Sequence, residues 1–257
     1  MDFKFNKDYF SVKDKVVIVT GANMGLGLAY AKALSNCGAK LVISHFDTNT
    51  KEIENFCAKN KTELLLVQGD LTKETDRNKL IEEAIKKFKH IDALVNNAGT
   101  IIREPILEFS EKSWNKVIDI NMNAVWFLSQ KVAQIMKKQG YGKIINIASM
   151  LSYQGGILVP AYTASKHAVA GLTKAFTTEL AKYNIQVNAI APGYVETANT
   201  QAIRDDAKRN QSILERIPAG HWAKPEEIAG AVVFLCSKAS DYISGAIIPV
   251  DGGFLCR

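Results

Sequence analysis

Short runs of apolar, β-branched residues alternate with amphipathic helical patterns along almost the whole chain, and this alternation restricts the possible folds more than any other feature. It is typical of βαβ units and of a parallel sheet. Because the runs are apolar nearly throughout, we expect strands that are buried on both faces. The predicted strands cover residues 15–20, 39–44, 63–68, 92–97, 142–149, 185–190 and 245–250.

The helical patterns between these strands predict at least two long helices. They cover residues 74–88 and 113–138, and Ser110 or Ser113 is available to cap the second. A polar stretch around residues 196–216 follows a strand end and has no strand pattern, so we predict a mobile lid that sets specificity. With 257 residues and no internal repeat, the chain is expected to form one α/β domain over residues 1–257.

Composition and charge argue against several classes of protein. The formal charge is +6, but the 32 basic residues are interleaved with 26 acidic ones, so we expect no nucleic-acid partner and a mild preference for an anionic small substrate. The four cysteines and four histidines lack the spacing of a zinc site, which predicts free thiols and no metal. The N-terminus has no signal-peptide pattern and no apolar run reaches membrane length, so we expect a cytoplasmic protein without membrane contact.

A glycine-rich turn follows the first predicted strand and opens the first helix. Its glycines, Gly21, Gly25 and Gly27, have the spacing GxxxGxG. Glycines permit a tight bend and a close approach of the backbone to a pyrophosphate, which then faces the positive end of the helix. Such turns also close ordinary strand-to-helix junctions, but within a βαβ unit this one predicts dinucleotide binding.

The end of the second strand decides between NAD and NADP. An acidic residue there accepts the ribose hydroxyls of NAD, whereas an arginine favours the 2′-phosphate of NADP. The deciding position is His45, which gives neither signal; Asp47 lies two residues later, and the next basic residue is Lys51. We therefore predict NAD, with NADP as the open alternative, and expect a neutral His45 to hydrogen-bond the ribose.

Polar residues end two further predicted strands. Asp70 follows the third strand, and Asn96 and Asn97 end the fourth. The carboxyl ends of parallel strands border the crevice in which such sheets bind ligands, so these residues are candidates for cofactor contacts. A helix cap at Asp70 and a turn at the two asparagines are the alternatives.

Tyr162 and Lys166 lie four residues apart in a predicted helix that starts near Val159, so they share one helix face. A phenol with a pKa of about 10 is a poor base at neutral pH, but a nearby cation lowers that pKa. Such a tyrosine can exchange a proton with an alcohol or ketone. Ser149 can hydrogen-bond the same oxygen, and Asn121 can support Lys166 through a water. A packed tyrosine beside a snorkelling lysine is the alternative for an isolated pair.

Together these motifs resemble, in order, those of the short-chain dehydrogenase/reductase family. The matching motifs are TGxxxGxG (20–27), NNAG (96–99), Asn121, Ser149, the Tyr162 and Lys166 pair, and PG (192–193). The resemblance covers nearly the whole chain. It implies a single Rossmann-type domain, with a doubly wound sheet of seven parallel strands and helices on both faces, and a homotetramer.

The resemblance also implies a role for each matching residue. The implied catalytic residues are Asn121, Ser149, Tyr162 and Lys166. The residues implied to contact the cofactor are Gly21, Asn23, Met24, Gly25, Leu26, Gly27, His45, Phe46, Asp70, Leu71, Asn97, Tyr162, Lys166, Val195 and Thr197. His45 departs from the family, whose NAD-dependent members usually carry Asp there.

Within that family, stretches such as "IIREPILEFSEKSW" and "NAIAPGYVETANTQ" look like the group described as 2-deoxygluconate 3-dehydrogenases or 2-dehydro-3-deoxygluconate 5-dehydrogenases. This implies an NAD-dependent oxidoreductase that interconverts a secondary alcohol and a ketone on a six-carbon sugar acid. Beside Ser149 and Tyr162, the candidate substrate contacts are Arg103 for the carboxylate and Gln154 for hydroxyls. A surface ion pair for Arg103 and a turn role for Gln154 are the alternatives.

Three other functions stay open at this point. A gluconate 5-dehydrogenase is closely related to the favoured group. A 3-oxoacyl carrier-protein reductase would prefer an extended apolar slot and usually NADPH. A dinucleotide-sensing module without catalysis typically lacks the tyrosine or the lysine, whereas this chain keeps Tyr162 and Lys166 together with Ser149 and Asn121.

Overall fold

One parallel sheet of seven strands forms the centre of the molecule. The computed structural model describes residues 6–257, so residues 1–5 of the N-terminal stretch considered above lie outside it. The strands are β1 (Val16–Thr20), β2 (Lys40–His45), β3 (Leu64–Gln68), β4 (Ala93–Asn96), β5 (Gly142–Ile147), β6 (Ile185–Pro192) and β7 (Ile247–Val250). Their spatial order is β3-β2-β1-β4-β5-β6-β7, and all neighbours are parallel. The predicted seven-stranded α/β fold is confirmed.

Helices connect the strands. They are α1 (Gly25–Asn36), α2 (Lys51–Lys59), α3 (Glu74–Phe88), α4 (Glu111–Ile118), α5 (Ala124–Gln139), α6 (Pro160–Leu180), α7 (Gln201–Asp205), α8 (Ala207–Leu214) and α9 (Pro225–Cys236). Helix α3 has the predicted bounds. Of the two candidate caps, Ser110 is the one used, because its hydroxyl accepts a hydrogen bond from the Ser113 backbone N–H.

The predicted continuous helix over residues 113–138 differs from the structure. It is divided into α4 and α5 by a π-helical turn, Asp119–Asn123. A π turn adds one residue to the helical repeat, so the side chains beyond it are rotated relative to an uninterrupted helix. Periodicity predicted the helical content correctly but missed this interruption.

The predicted lid is partly helical. Its described residues contain a short 3-10 turn, Ala198–Thr200, followed by α7 and α8. Ile213 of α8 is buried against Trp222 and Met150, and Ile203 of α7 packs against the same cluster. The segment therefore has an apolar anchor of its own, in addition to the polar surface that the sequence suggests.

Two apolar layers cover the two faces of the sheet. In β1, Val17 and Val19 belong to the layer that includes α1, α2 and α9. The alternate residues, Val16 and Ile18, belong to the opposite layer, with α3, α5 and part of α6. All four of these β1 side chains are buried, as expected for a strand covered by helices on both faces.

The strand order reverses at β1, which lies between β2 and β4. The loops that leave the carboxyl ends of β1 and β4 therefore diverge and open a crevice, where ligands bind in open α/β sheets. None of the helices in residues 6–257 is both long and apolar enough to cross a membrane.

Candidate active site

A cleft of about 720 Å³ opens at this reversal point, above the carboxyl ends of the strands. Most of the residues selected from the sequence line it. They are Gly21, Asn23, Met24, Gly25, Leu26, Gly27, His45, Phe46, Asp70, Leu71, Asn97, Arg103, Ser149, Tyr162, Lys166, Val195 and Thr197. Three selected residues, Asn96, Asn121 and Gln154, do not line the cleft.

The glycine turn at the start of the cleft has no room for side chains where the chain bends most tightly. Gly21 has a positive φ of +62°, a conformation that L side chains rarely adopt. A Cβ on Gly27 would lie 2.4 Å from the Asn97 Nδ2 atom and 2.4 Å from the Gly21 carbonyl oxygen. Asn97 itself fixes the turn, because its Nδ2 donates to the Thr20 and Gly21 carbonyl oxygens at 2.8 and 3.1 Å.

The helix N-terminus beside this turn is free to face a ligand. Helix α1 begins at Gly25, and the side chain of the preceding Met24 makes no capping hydrogen bond. A Cβ on Gly25 would meet no atom within 4 Å, so the space before the first helical turn is open. Uncapped N–H groups at the positive end of a helix suit an anion. This cradle fits the pyrophosphate of a dinucleotide.

The end of β2 folds back over the glycine turn and brings an acidic residue to the cleft. Asn23 Nδ2 donates to Asp47 Oδ1 at 2.7 Å, and the Asn49 backbone N–H donates to the same oxygen at 3.0 Å. The His45 Nδ1 atom lies 2.6 Å from the Asp47 carbonyl oxygen, so Nδ1 carries the proton and Nε2 of a neutral ring is an acceptor. Asp47, which comes two residues after the position expected to choose between NAD and NADP, lines the cleft with His45.

The polar residues after β3 and β4 have different positions. Asp70 lines the cleft, and its Oδ1 accepts hydrogen bonds from the Thr72 N–H and hydroxyl; it shapes the turn and does not cap α3. Asn96 is buried instead, and its Nδ2 donates to Ser129 Oγ and Asn146 Oδ1, both at 2.8 Å. Asn97 contacts the glycine turn, whereas Asn96 belongs to the core.

Tyr162 and Lys166 project from the same side of α6 into the cleft. The Lys166 Nζ atom lies 5.5 Å from the centre of the Tyr162 ring. Lys166 is buried, and its Nζ donates to the Ile147 carbonyl oxygen at 2.5 Å. Burial disfavours the charged form and lowers the pKa of the Lys166 ammonium to about 8. The predicted side-by-side arrangement of the two groups is present.

The expected lowering of the Tyr162 pKa is wrong for this structure. Burial raises the pKa of the phenol above its ordinary value, and this effect outweighs the hydrogen bond with Ser149 and the positive charge of Arg103, which act in the opposite direction. Lys166 is not among the causes of the shift. The reason is that removing a phenolate from water costs more than these neighbours return. The tyrosine is therefore protonated at neutral pH.

Ser149 lines the cleft together with Tyr162 and Lys166, whereas Asn121 is buried behind it. Ser149 follows β5, lines the cleft and accepts a hydrogen bond from the Leu151 N–H at 3.1 Å. Asn121 is buried in the π-helical turn behind the cleft, where it exchanges hydrogen bonds with the backbone of Thr100. Its Nδ2 also donates to Ser165 Oγ at 3.2 Å, next to Lys166 in the chain. π turns frequently occur at functional sites.

Arg103 and Gln154 differ in how they relate to the cleft. Arg103 lines it, and its Nη2 donates to the Asn199 carbonyl oxygen of the predicted lid at 3.2 Å. Glu104 hydrogen-bonds Ser110 and Ser113 instead, and Arg103 has no ion pair within residues 6–257. Its remaining N–H groups are available to a ligand. Gln154 lies in a loop outside the cleft lining, so a direct substrate contact by Gln154 stays a prediction.

Several cleft residues escaped the sequence reasoning. They are Ser44, Thr72, Thr100, Lys116 and Asp119. Most follow strand ends, and this position is a signal that was available in the sequence. Lys116 and Asp119 instead belong to the α4 segment and the π turn after it, and no strand pattern points to them.

Known proteins are similar to this chain along almost its whole length. The family model described as enoyl-(acyl carrier protein) reductase matches residues 21–255. A 2-dehydro-3-deoxy-D-gluconate 5-dehydrogenase from Bacillus subtilis (strain 168) is 49% identical over 97% of this chain and 98% of its own length.

Solved structures are equally similar along the whole chain. A candidate 2-deoxy-d-gluconate 3-dehydrogenase from Agrobacterium tumefaciens, with NADP bound, has 48% identity and a TM-score of 0.89 over 98% of this chain and 100% of its own. A gluconate 5-dehydrogenase from Burkholderia cenocepacia J2315, in complex with NADP and tartrate, has 34% identity and a TM-score of 0.93 over 97% of this chain and 98% of its own.

Proposed function

Because the chain belongs to the short-chain dehydrogenase/reductase family, we propose that it oxidises a secondary hydroxyl of a six-carbon sugar acid to the ketone, and catalyses the reverse reduction, with a nicotinamide dinucleotide. The observation that carries this proposal is the meeting of Tyr162, Lys166 and Ser149 in the cleft that begins at the glycine turn. The cleft thus combines a dinucleotide cradle with proton-transfer groups.

The glycine turn and the first turn of α1 would hold the pyrophosphate, and the turns after β2 and β3 would hold the adenosine half. Thr197 and Val195 lie at the opposite end of the predicted cofactor contacts, near the lid. A bound nicotinamide supplies the acceptor of the hydride in oxidation and its donor in reduction. Gly25 and Gly27 contribute by leaving room where any side chain would obstruct the cradle.

Tyr162 is the proposed acid/base, because its hydroxyl can exchange a proton with the reacting oxygen of the substrate. In reduction the protonated phenol donates its proton to the substrate oxygen, and in oxidation the phenolate accepts the proton of the substrate hydroxyl. Ser149 would hydrogen-bond the same substrate oxygen and fix its position. Lys166 places an amine beside the phenol ring, and Asn121 hydrogen-bonds the hydroxyl of Ser165, the residue before Lys166.

The substrate class rests on the relatives and on the charge of the cleft. The Bacillus relative is named for the 5-position of 2-dehydro-3-deoxy-D-gluconate, and we propose a substrate of this type. Arg103 supports a carboxylate ligand, because its guanidinium reaches the cleft without an acidic partner in residues 6–257 and can bind a carboxylate at two points. Lys116 adds a further cation to the same lining, beside those of Arg103 and Lys166.

NAD is the proposed cofactor. Among the residues that line the cleft at the ends of β2 and β3 there is no lysine or arginine, and the Asp47 carboxylate is held there by Asn23 and Asn49. A carboxylate suits ribose hydroxyls and repels a 2′-phosphate. The two similar structures from Agrobacterium and Burkholderia were solved with NADP, so the cofactor must be measured.

A cofactor-coupled absorbance screen tests the proposal. The purified protein is assayed with 2-dehydro-3-deoxygluconate, 2-deoxygluconate and gluconate, each with NAD and with NADP, and with the corresponding keto acids and NADH or NADPH. We expect the highest kcat/KM with the first substrate and NAD. The description of the matching family model makes acyl thioesters the necessary comparison, and activity on these alone would make the protein an acyl reductase.

The homotetramer and the cytoplasmic location remain predictions. An association of subunits is supported by exposed apolar side chains between residues 106 and 127, an exposed apolar stretch of the sequence in which Leu107 is 96% exposed, Ile106 is 75% exposed, and Trp114 and Phe127 are about 40% exposed. Such residues usually mark interfaces when they lie together on a surface.

A further inference from the structure

The turn between β3 and α3, residues 69–72, lines the cleft and is held from behind by the first turn of α3. The Asp76 carboxylate accepts a hydrogen bond from the Asp70 N–H at 2.7 Å. There is no room between the two segments, since a Cβ on Gly69 would lie 2.9 Å from the Asp76 Cβ. The upstream side of the turn is fixed as well, because the Gly69 N–H donates to the His45 carbonyl oxygen.

Arg77 fixes the other half of this turn. Its Nη1 donates to the carbonyl oxygens of Leu71 and Thr72, at 2.7 and 2.9 Å, and its guanidinium lies 4.9 Å from the centre of the Phe127 ring. The side chain is buried, with the whole residue only 6% exposed. No carboxylate in residues 6–257 forms an ion pair with it, and its Nε has no hydrogen-bond partner there.

A buried guanidinium without a carboxylate is costly, because a charge leaves water and gains only carbonyl oxygens and an aromatic face in return. An apolar residue would fill the same space at lower cost. What the arginine contributes is geometric: one planar group binds two successive carbonyl oxygens. Asp76 binds the N–H at the start of the same turn, so the two neighbouring side chains clamp it at both ends.

We propose that Asp76 and Arg77 are positioning residues, which hold the 69–72 turn in the shape that binds the adenine half of the cofactor. This inference rests on the proposed dinucleotide site. Neither side chain lines the cleft, and both act through the backbone of Asp70, Leu71 and Thr72, which does. They therefore determine the affinity for the adenosine half, while the proton-transfer group on α6 keeps its geometry.

The test separates adenosine binding from turnover. Arg77→Met keeps the length of the side chain but removes its donors, and Lys86→Met, an exposed residue on the same helix, is the charge-matched control. We expect Arg77→Met to raise the KM for NAD about tenfold, because hydrogen bonds from charged donors are the stronger kind. The inhibition constant of AMP should rise by the same factor, and kcat at saturating NAD should stay unchanged.

AMP binding can be measured by titration without any substrate, so the result stands even if the sugar-acid assignment fails. Arg77→Lys retains the charge but cannot bind both carbonyl oxygens in the same way. Its affinity for AMP should therefore lie between those of the wild type and Arg77→Met. Combining Arg77→Met with Asp76→Ala should give less than the sum of the two effects on AMP affinity, because both residues hold one turn.

An unchanged AMP affinity in folded Arg77→Met, or a loss confined to kcat, would overturn the proposal. If Arg77→Met does not fold, Arg77→Lys decides in the same way, and an AMP affinity equal to that of the wild type then contradicts the clamp. A lower melting temperature with unchanged AMP affinity identifies a purely structural role.

Discussion

At the scale of single residues, the chemistry depends on how burial changes two ionisable groups on α6. Burial raises the pKa of Tyr162 and lowers that of Lys166 to about 8. Both shifts have the same cause, since each disfavours a charged form inside the protein. The protonated phenol consequently predominates at neutral pH, and the phenolate that acts as the base in oxidation is scarcely populated.

The role of Tyr162 makes a direct prediction for Tyr162→Phe. This substitution keeps the ring and removes only the hydroxyl, so kcat should fall at least about a hundredfold, the range expected for loss of a general acid or base. The affinity for NAD should stay nearly unchanged in a fluorescence titration. Tyr242→Phe, whose side chain is fully exposed, is the control and should behave as the wild type. Substantial residual turnover in Tyr162→Phe would refute the assignment.

The raised Tyr162 pKa also predicts different pH profiles for the two directions. Oxidation needs the phenolate, whose population increases with pH below the pKa, so kcat/KM for the sugar acid should rise from pH 6 to pH 8. Reduction uses the protonated phenol and should be flat over the same range. An oxidation profile that is flat between pH 6 and pH 8 would contradict this account.

At the scale of structural elements, the turns decide more than the helices and strands they connect. The π turn, Asp119–Asn123, places Asn121 against Thr100 and Ser165. The glycine turn places the start of α1 against the cleft. In both, a local departure from regular backbone puts polar groups where a regular helix would not.

Glycine-to-alanine changes at Gly27, in the glycine turn, and at Gly171, in helix α6, should have opposite effects on stability. Gly27→Ala introduces a Cβ that overlaps the Gly21 carbonyl oxygen and Asn97, so we expect a loss of about 1–3 kcal/mol in stability and severely weakened NAD binding. Gly171→Ala lies in the interior of α6, where nothing is within 4 Å of the new Cβ. It should stabilise the protein by about 0.5–1 kcal/mol.

Denaturant unfolding and NAD titration of both variants check this pair. The Gly171→Ala protein also controls for any general effect of replacing a glycine. If Gly27→Ala bound NAD as tightly as the wild type, the close approach of backbone at the cradle would have no functional importance.

At the scale of the whole molecule, the exposed apolar stretch that includes Leu107 and Trp114 bears on assembly. Leu107→Glu or Trp114→Glu would place a charge in any interface formed there, and burying an unpaired charge is strongly unfavourable. We expect a tetramer for the wild type and a smaller species for these variants, measured by light scattering after size-exclusion chromatography. Lys112→Ala, an exposed residue of the same helix α4, should not change the mass. A wild-type monomer would contradict the prediction.

Much of the fold follows from local pattern. The β-branched runs predicted all seven strands. The five inner strands are buried on both faces, as a continuous apolar sequence requires, whereas the edge strands β3 and β7 are only partly buried. The bounds of α3 were predicted as they are found. The π turn was missed, because the apolar periodicity of residues 113–138 continues across it while the backbone gains one residue.

The candidate site, like the fold, was predicted from the sequence only in part. The sequence by itself determined which side chains the cleft would offer, since Gly21, Ser149, Tyr162 and Lys166 stand in the order and at the positions of the family's motifs. The tertiary structure decided how neighbouring groups change the contacts and the pKa values of these side chains. The return of Asp47 onto Asn23 and the burial that raises the Tyr162 pKa depend on contacts between segments distant in the chain. Such contacts leave no periodic trace, because they arise only when the packed layers bring separate loops together.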